Sequence, residues 1–172
     1  LEPVGLDHPD VVKAMDDVKE RINKLMNAPE PKHSPDYYHK KVGRILWGAC
    51  GMSREKESLK AAIEEIKALQ ADFWQHVKVT GIDKDMNQTL ERAGRVADFI
   101  ELGHLMCRDA LEREESCGCH ARMEYLESDG EAKRDDENFA YVAAWEYSED
   151  GAILNKEQLD FEFVKPSVRD YT

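Results

Sequence analysis

Apolar residues recur at steps of three and four along most of the first 112 positions, and this spacing constrains the fold more than any other feature. Such a period places the apolar side chains on one face of a helix. Four helices are therefore predicted. Their apolar faces are Val11, Met15, Val18, Ile22 and Leu25; Tyr38, Val42, Ile45, Leu46 and Ala49; Leu59, Ile63, Ile66, Leu69, Phe73 and Val77; and Leu90, Ala93, Ala97, Ile100, Cys107 and Leu111.

The residues between these stripes supply start and stop signals. Asp7 or His8 can cap a first helix opened by Pro9, and Ser34-Pro35 opens a second that stops near Gly51. Ser53 is predicted to cap the third helix, with Gly81 just beyond its end. The fourth is expected from about Asp85 to Glu112.

The pattern changes after Arg113, where charged residues, Gly and Asp dominate until Phe139. Alternating apolar residues then predict strands. These residues are Phe139, Tyr141, Ala143 and Trp145 in one strand, and Leu159, Phe161 and Phe163 in the other. Glu149-Asp150-Gly151 has the composition of a turn, so we expect a β-hairpin.

The predicted fold is mainly α: an up-and-down three-helix, spectrin-repeat-like bundle with an additional N-terminal helix and a C-terminal extended or β-hairpin segment. The predicted divisions are residues 1–33 for the N-terminal lead-in and helix and 34–115 for the helical bundle. Residues 116–172 form the charged loop and the C-terminal β segment.

The net charge of the chain limits the classes of partner that it can bind. The formal net charge is −12, with 24 Lys and Arg against 36 Asp and Glu. Nucleic acid and anionic lipid are bound through clustered basic residues, so no nucleic-acid partner is expected. No apolar run approaches the roughly 20 residues that span a bilayer, and no secretory signal is recognisable. We therefore expect a cytoplasmic protein with free thiols and without direct membrane insertion.

Common catalytic and cofactor motifs are missing. No two of the ten glycines are two positions apart, so the Gly-x-Gly of a dinucleotide site is absent. There is also no Gly-Lys-Ser/Thr phosphate loop, no His-Glu-x-x-His helix and no Gly-x-Ser-x-Gly turn. Nucleotide-binding and hydrolase chemistry therefore lack their usual signatures in this chain.

The segment REESCGCHAR, Arg113 to Arg122, is the densest group of reactive side chains. Three interpretations compete: a metal site from Cys117, Cys119 and His120 with His104 or Cys107 as a fourth ligand, a redox dithiol, and a polar staple. Cys-x-Cys-His lacks the two-residue gap of common zinc sites, and a disulfide within Cys-x-Cys would be strained. We favour the staple and predict no metal.

Other candidates have simpler interpretations. Cys50 and Cys107 lie on apolar helix faces, where a thiol behaves as a small hydrophobe. His104 is expected to be a packed or hydrogen-bonded histidine. Trp47 and Trp74 are expected to be core or interface aromatics.

Two motifs carry a resemblance to a known family. Glu115 to Arg122 and Arg134 to Phe139 (RDDENF) resemble the carboxyl-terminal region of the flavoprotein subunit of succinate dehydrogenase and fumarate reductase. That family has Glu-Ser-Cys/Arg-Gly-Gly/Ala-His-x-Arg, then Arg-Asp-Asp-Glu-Asn-aromatic, and often ends near Arg-x-Tyr, here Arg169 to Tyr171. Ile45 to Arg54 and Leu90 to Phe99 are also similar. The resemblance therefore covers almost the whole chain.

One position departs from the family pattern. Cys119 stands where the family usually has Gly or Ala. A position that is normally occupied by a small residue is not a metal ligand in the family. The resemblance therefore argues further against zinc.

The resemblance implies a non-catalytic fragment. In the parent subunit a larger amino-terminal region binds FAD and interconverts succinate and fumarate, while this fragment would hold no cofactor and would pack on the flavin domain. The implied partners are that domain, the iron–sulfur subunit and the membrane-anchor subunit, which implies a location peripheral to the cytoplasmic membrane. The candidate domain-interface residues are Arg113, Glu115, His120, Arg122, Arg134, Asp135 and Asp136.

Three alternatives stay open. The charged segment could close the bundle on itself, which is about as well supported as a staple to the flavin domain. The fragment could be the equivalent domain of L-aspartate oxidase, although the residues after Arg134 favour succinate or fumarate. It could also be an independent acidic helical adaptor.

Overall fold

The computed structural model describes residues 4–84, 86–148 and 151–167. The chain divides into two compact units, one made of Leu1–Ile45 and Glu64–Gly103, the other of Leu46–Ile63 and His104–Thr172. The helices are α1 (Pro9–Met26), α2 (Pro35–Ala49), α3 (Lys56–His76), α4 (Gln88–Glu112) and α5 (Asp136–Phe139). The strands are β1 (Ser53–Arg54), β2 (Ala121–Arg122), β3 (Tyr141–Glu146) and β4 (Ile153–Gln158). The predicted mainly-α class is confirmed, and α2, α3 and α4 contribute residues to both units.

The core of the first unit follows the predicted apolar faces. Its buried side chains include Leu25, Tyr38, Val42, Ile66, Leu69, Phe73, Val77, Ala93, Val96, Ala97 and Ile100. The ring of Tyr38 packs edge-on against Phe73 with centroids 5.1 Å apart, and its hydroxyl donates to Asp72 Oδ2 at 2.9 Å. The one polar atom of this core residue is thus satisfied, as burial requires.

Helix α1 begins where the sequence predicts, because the His8 side chain accepts a hydrogen bond from the Asp10 amide. Its apolar stripe behaves less uniformly than those of the other helices. Leu25 is buried, whereas Met15 and Val18 are about half exposed. Only the last turn of this helix therefore contributes a fully buried side chain to the unit.

The starts of α3 and α4 differ from the predictions. The Asn87 side chain caps α4, accepting from the Leu90 amide at 3.0 Å, and Asp85 lies outside the described residues. Ser53 does not cap α3: it lies in β1, and the Lys56 amide donates instead to Glu124 Oε1 at 2.5 Å. The prediction for Ser53 was wrong because a carboxylate 68 residues away supplies the cap.

The second unit contains both strand pairs. Strands β1 and β2 are parallel, with Ser53 opposite Ala121. Strands β3 and β4 are antiparallel, with Tyr141 opposite Gln158. The buried side chains of this unit include Ala49, Cys50, Leu59, Ala62, Ile63, Cys107, Ala110, Glu115, Ser116, Arg122 and Tyr141.

The hairpin forms, but its second strand lies earlier than predicted. Strand β4 ends at Gln158, so Leu159, Phe161 and Phe163 follow it and are at least 40% exposed. The alternating apolar residues Leu159, Phe161 and Phe163 did not mark the strand. Strand β4 is an edge strand whose residues are mostly exposed, so polar side chains are tolerated there and the strand has no apolar pattern of its own. Of the predicted turn, Gly151 has a positive φ of 116°, and Glu149 and Asp150 lie outside the described residues.

Two further findings concern exposed surface. Trp47 is 87% exposed, so it is not a core residue. Its role as an interface residue stays a prediction. Among the described helices, none is both long enough and apolar enough to cross a membrane.

Candidate functional site

The predicted site lies in the second unit, where α4 ends. We call it the charged cluster and define it as Arg54, Arg113, Glu115, Ser116, His120, Arg122 and Glu124. The chain reverses directly after Ser116: the Cys117 and His120 backbones exchange hydrogen bonds of 2.9 and 3.0 Å. Gly118 has φ 58°, a left-handed conformation that glycine adopts without a steric penalty. This turn brings His120 and Arg122 back to the end of α4.

Arg122 caps the carboxyl end of α4. Its Nη1 donates to the carbonyls of Ala110 (2.9 Å), Leu111 (3.2 Å) and Arg113 (3.3 Å). The last carbonyls of a helix have no intrahelical donor and carry partial negative charge, so a guanidinium is well suited to them. Arg122 is fully buried, which is unusual for a cation.

The charge of Arg122 is balanced on its other side. Its Nε donates to Glu124 Oε2 at 3.1 Å, and its guanidinium carbon lies 5.4 Å from the centroid of the Tyr125 ring. Within the described residues its Nη2 makes no hydrogen bond. Burial raises the pKa of Glu124, but hydrogen bonds from the Lys56 amide and Arg122 outweigh this and leave the pKa below its ordinary value. Glu124 therefore joins the start of α3 to the buried arginine.

His120 is held at both ring nitrogens. Nε2 lies 2.9 Å from the Arg113 carbonyl and Nδ1 lies 2.6 Å from Arg54 Nη1. A carbonyl only accepts and a guanidinium only donates, so the imidazole is neutral with its proton on Nε2. Burial lowers the pKa of His120, and the charges of Arg54 and Arg122 lower it further, against the hydrogen bond to Arg113, which raises it. The histidine acts as a neutral bridge between the Arg113 carbonyl and the Arg54 side chain.

Glu115 and Arg113 join the cluster to the hairpin. Glu115, 3% exposed, accepts from Arg113 Nη1 at 2.6 Å and from the Asp135 amide at 2.9 Å. Arg113 also donates to the Phe139 carbonyl at 3.0 Å and to the Tyr141 carbonyl at 3.1 Å. Its guanidinium carbon lies 5.0 Å from the Tyr141 ring centroid. Because both charges are paired and hydrogen-bonded, their burial is tolerated.

The remaining candidates lie in the segment that Glu115 holds. Asp135 caps the short helix α5, accepting from the Asn138 amide. Arg134 pairs with Asp136 at 2.6 Å and donates to the Ser167 carbonyl at 3.3 Å. Asp136 is exposed, and Arg134 and Asp135 are half-buried. The structure thus links Arg113, Glu115, His120 and Arg122 directly, and reaches Arg134 to Asp136 through Glu115.

Sequence reasoning missed three members of the cluster. Ser116 exchanges two hydrogen bonds with the Arg122 backbone, at 2.9 and 3.1 Å, and its position inside the motif is a signal that could have identified it. Arg54 and Glu124 contribute through a two-residue parallel strand pair and a distant helix cap. Neither feature has a periodic or spacing signal in the sequence.

The arrangement suits structural stabilisation more than proton transfer. Both nitrogens of His120 are already engaged, and the Ser116 hydroxyl is bound to backbone on both sides. Cys117 and Cys119 are free thiols. In the described ranges, no group of three or more His, Cys, Asp or Glu side chains is placed to hold a metal ion.

The chain is similar to known flavoprotein subunits. Residues 39–171 match the family model described as "Fumarate reductase flavoprotein C-term". The fumarate reductase flavoprotein subunit of Haemophilus influenzae is 25% identical over 136 residues, covering 79% of this chain and 21% of that protein. The chain thus spans about a fifth of the length of this relative.

The solved structures agree on the fold. A quinol-fumarate reductase solved with menaquinol molecules superposes with a TM-score of 0.76 at 23% sequence identity, over 95% of this chain and 28% of that one.

An L-aspartate oxidase of Nostoc sp. is 27% identical in sequence, but the match covers only 51% of this chain and 17% of that protein. The family match extends over the charged cluster and the segment with Arg134. The chain therefore belongs to the fumarate reductase flavoprotein C-terminal family.

Proposed function

We propose that this chain is the C-terminal helical region of a flavoprotein subunit that interconverts fumarate and succinate. FAD and the dicarboxylate would be bound by parts of that subunit outside these 172 residues. The family match over residues 39–171 carries the proposal, and the names of the relatives supply the reaction. The match to L-aspartate oxidase is shorter, so that activity is the second candidate.

The proposed partners follow from the same relatives. The flavin domain of the same subunit would be the direct neighbour. An iron–sulfur subunit and a membrane-anchor subunit would complete the complex, on the cytoplasmic side and peripheral to the membrane. The similarity to a quinol-fumarate reductase supports membership of such an assembly.

The region itself is proposed to be non-catalytic. The observation behind this is the direction of the cluster's hydrogen bonds, since Arg122, His120 and Arg113 all bind backbone carbonyls of their own chain. A general base must reach the proton that it removes, and His120 has no nitrogen left for this. The cluster would instead fix the end of α4 and the segment that follows it.

The flavin-domain interface is proposed to combine two groups of candidates. Glu115 and Arg122 are buried within the chain and would act by holding the backbone, with Arg113 and His120 supporting them. Arg134, Asp135 and Asp136 are more accessible and would make the contacts. The Arg134–Asp136 pair can exchange its internal hydrogen bonds for bonds to polar groups of the flavin domain, because both side chains retain exposure.

The identity is tested on the whole subunit. Purified protein should show the visible absorbance of bound flavin and should reduce fumarate and oxidise succinate with artificial electron carriers. Oxidation of L-aspartate without turnover of either dicarboxylate would favour the second candidate. Absence of flavin and of all three activities would point to a helical adaptor.

The interface is tested with Arg134→Ala combined with Asp136→Ala in the same subunit. We expect flavin to be lost more readily during gel filtration, because the contact with the flavin domain is weakened. Glu137→Ala is the matched control, since Glu137 lies in α5 beside this pair and is exposed. Equal flavin retention in both variants would contradict the interface.

A further inference from the structure

Two buried cysteines in the second unit lie apart from the charged cluster and have no role in the function proposed above. Cys50 directly follows α2 and is 8% exposed, whereas Cys107 lies in α4 and is fully buried. The two thiols are close enough for each to shift the pKa of the other. The Cys50 Sγ also lies 3.7 Å from the Met106 carbonyl, one residue from Cys107. Two sulfurs from distant positions in the sequence are thus held near each other.

We propose that Cys50 and Cys107 form a peroxide-oxidisable dithiol that closes to a disulfide between the residue after α2 and α4. Cys50 is the residue that meets the oxidant, because it retains 8% exposure and lies within three positions of the exposed Trp47 and Met52, whereas Cys107 has no exposed surface. Hydrogen peroxide is the oxidant class, being small enough to reach a nearly buried sulfur. Because the Cys50 Sγ already lies 3.7 Å from the carbonyl of the residue that precedes Cys107, little movement is needed before the second sulfur can react.

The surroundings also favour Cys50 as the attacking thiol. The hydrogen bond with Cys107 lowers the pKa of Cys50 to about 7, burial opposes this, and the guanidinium of Arg54 lowers it further. The contact with Cys50, together with burial, raises the pKa of Cys107. Since the thiolate is the nucleophile, Cys50 reacts first and Cys107 resolves the product.

The chemistry balances with one peroxide for each pair. The Cys50 thiolate attacks one peroxide oxygen, the O–O bond breaks, and hydroxide leaves to give Cys50 sulfenic acid. The Cys107 sulfur then attacks the Cys50 sulfur, the S–O bond breaks, and hydroxide leaves with the thiol proton as water. The protein loses two protons and two electrons, and the peroxide is reduced to two waters.

The test uses the intact natural polypeptide that carries these residues, treated with hydrogen peroxide, alkylated under denaturing conditions and digested with trypsin. The sequence separates the sites well: Cys50 falls in the peptide Ile45–Arg54, Cys107 in Val96–Arg108, and Cys117 with Cys119 in Glu114–Arg122. We expect the first two peptides to be recovered linked to each other by mass spectrometry. The third should be recovered with both thiols alkylated.

Variants separate the two roles. Cys107→Ser should leave Cys50 as a sulfenic acid that a 1,3-dione reagent traps. Cys50→Ser should slow oxidation of Cys107 by about tenfold or more, because the reactive thiolate is gone. The control carries Cys117→Ser and Cys119→Ser and should form the linked peptide as the parent does.

Two results would overturn the proposal. One is recovery of Cys50 and Cys107 as alkylated thiols after treatment with excess hydrogen peroxide. The other is a disulfide from either of them to Cys117 or Cys119. Both readouts come from the parent protein and the control variant, so they decide the question even if Cys50→Ser or Cys107→Ser fails to fold.

Discussion

Arg122 Nη1 donates a 2.9 Å hydrogen bond to the carbonyl of Ala110, so α4 is capped by a buried guanidinium from twelve residues further along the chain. A cation at a helix carboxyl end gains from the helix dipole as well as from the hydrogen bonds. The same side chain pairs with Glu124, which caps the start of α3. One buried arginine thereby connects the ends of two helices.

Replacement of this arginine should be costly. Arg122→Ala leaves the last carbonyls of α4 and the Glu124 carboxylate without their donor, so we expect the free energy of unfolding to fall by about 3 kcal/mol. Arg122→Lys keeps the charge but loses the planar fork, and should cost about 2 kcal/mol. Urea unfolding followed by circular dichroism measures both.

Arg44→Ala is the matched control, because Arg44 is an exposed arginine in α2. It should change the free energy of unfolding by less than about 0.5 kcal/mol. Equal losses for Arg44→Ala and Arg122→Ala would contradict the capping role.

His120 should make stability depend on pH. Its folded pKa lies below the ordinary value, mainly because burial disfavours the imidazolium. The unfolded chain therefore takes up the proton first, at about pH 6.5. The stability linked to His120 is complete above that pH and is lost as the pH falls from there towards the folded pKa.

The measurement is the urea midpoint at pH 7.5 and at pH 5.5. We expect the parent protein to lose more stability than His120→Gln between these two conditions, because glutamine has no proton to take up. His39→Gln should retain the full pH dependence of the parent. An unchanged pH dependence in His120→Gln would refute the neutral-bridge role.

Glu115 should control the attachment of α5 and the hairpin. Glu115→Gln removes the charge that pairs with Arg113 and leaves one acceptor for the two donors, Arg113 Nη1 and the Asp135 amide. We expect a loss of about 2 to 3 kcal/mol. Hydrogen exchange at the Asp135 amide should accelerate by more than that of the α4 core.

Glu137→Gln provides the comparison for Glu115, since Glu137 is exposed in α5. Its effect on stability and on exchange should be negligible. If exchange at Asp135 is as slow in Glu115→Gln as in the parent, the carboxylate does not anchor this segment.

Replacing two glycines by alanine should change the free energy of unfolding in opposite directions. Gly118→Ala forces a side chain into φ 58° and should destabilise by about 1 kcal/mol. Gly43→Ala lies within α2 in open space and should stabilise by about 1 kcal/mol, because alanine is the better helix former. Thermal unfolding of the two variants compares them directly, and a stabilising Gly118→Ala would contradict the turn geometry.

The helical part of the fold was predictable because apolar periodicity reports burial directly. Every residue of the predicted α3 face, from Leu59 to Val77, is buried. The errors at Ser53 and in β4 fall where long-range pairing overrides the local pattern. Ser53 looks like a helix cap but pairs with Ala121, and β4 is set by its register with β3 more than by the apolar residues from Leu159 to Phe163.

The sequence predicted which residues form the site, but it did not predict how their side chains are buried and hydrogen-bonded. Charge density and the motif identified Arg113, Glu115, His120 and Arg122, which the structure brings together. The sequence did not reveal that Arg122 is fully buried against helix carbonyls. Burial of a cation depends on where backbone acceptors converge in space, which no linear pattern records.

The most direct test of the account compares stability with turnover in the whole flavoprotein subunit carrying His120→Gln or Arg122→Lys. We expect a lower unfolding temperature in both variants and, under the proposed function, an unchanged rate of fumarate reduction for each bound flavin. A large fall in that rate, with a shifted pH profile and an unchanged unfolding temperature, would contradict a structural role for the charged cluster.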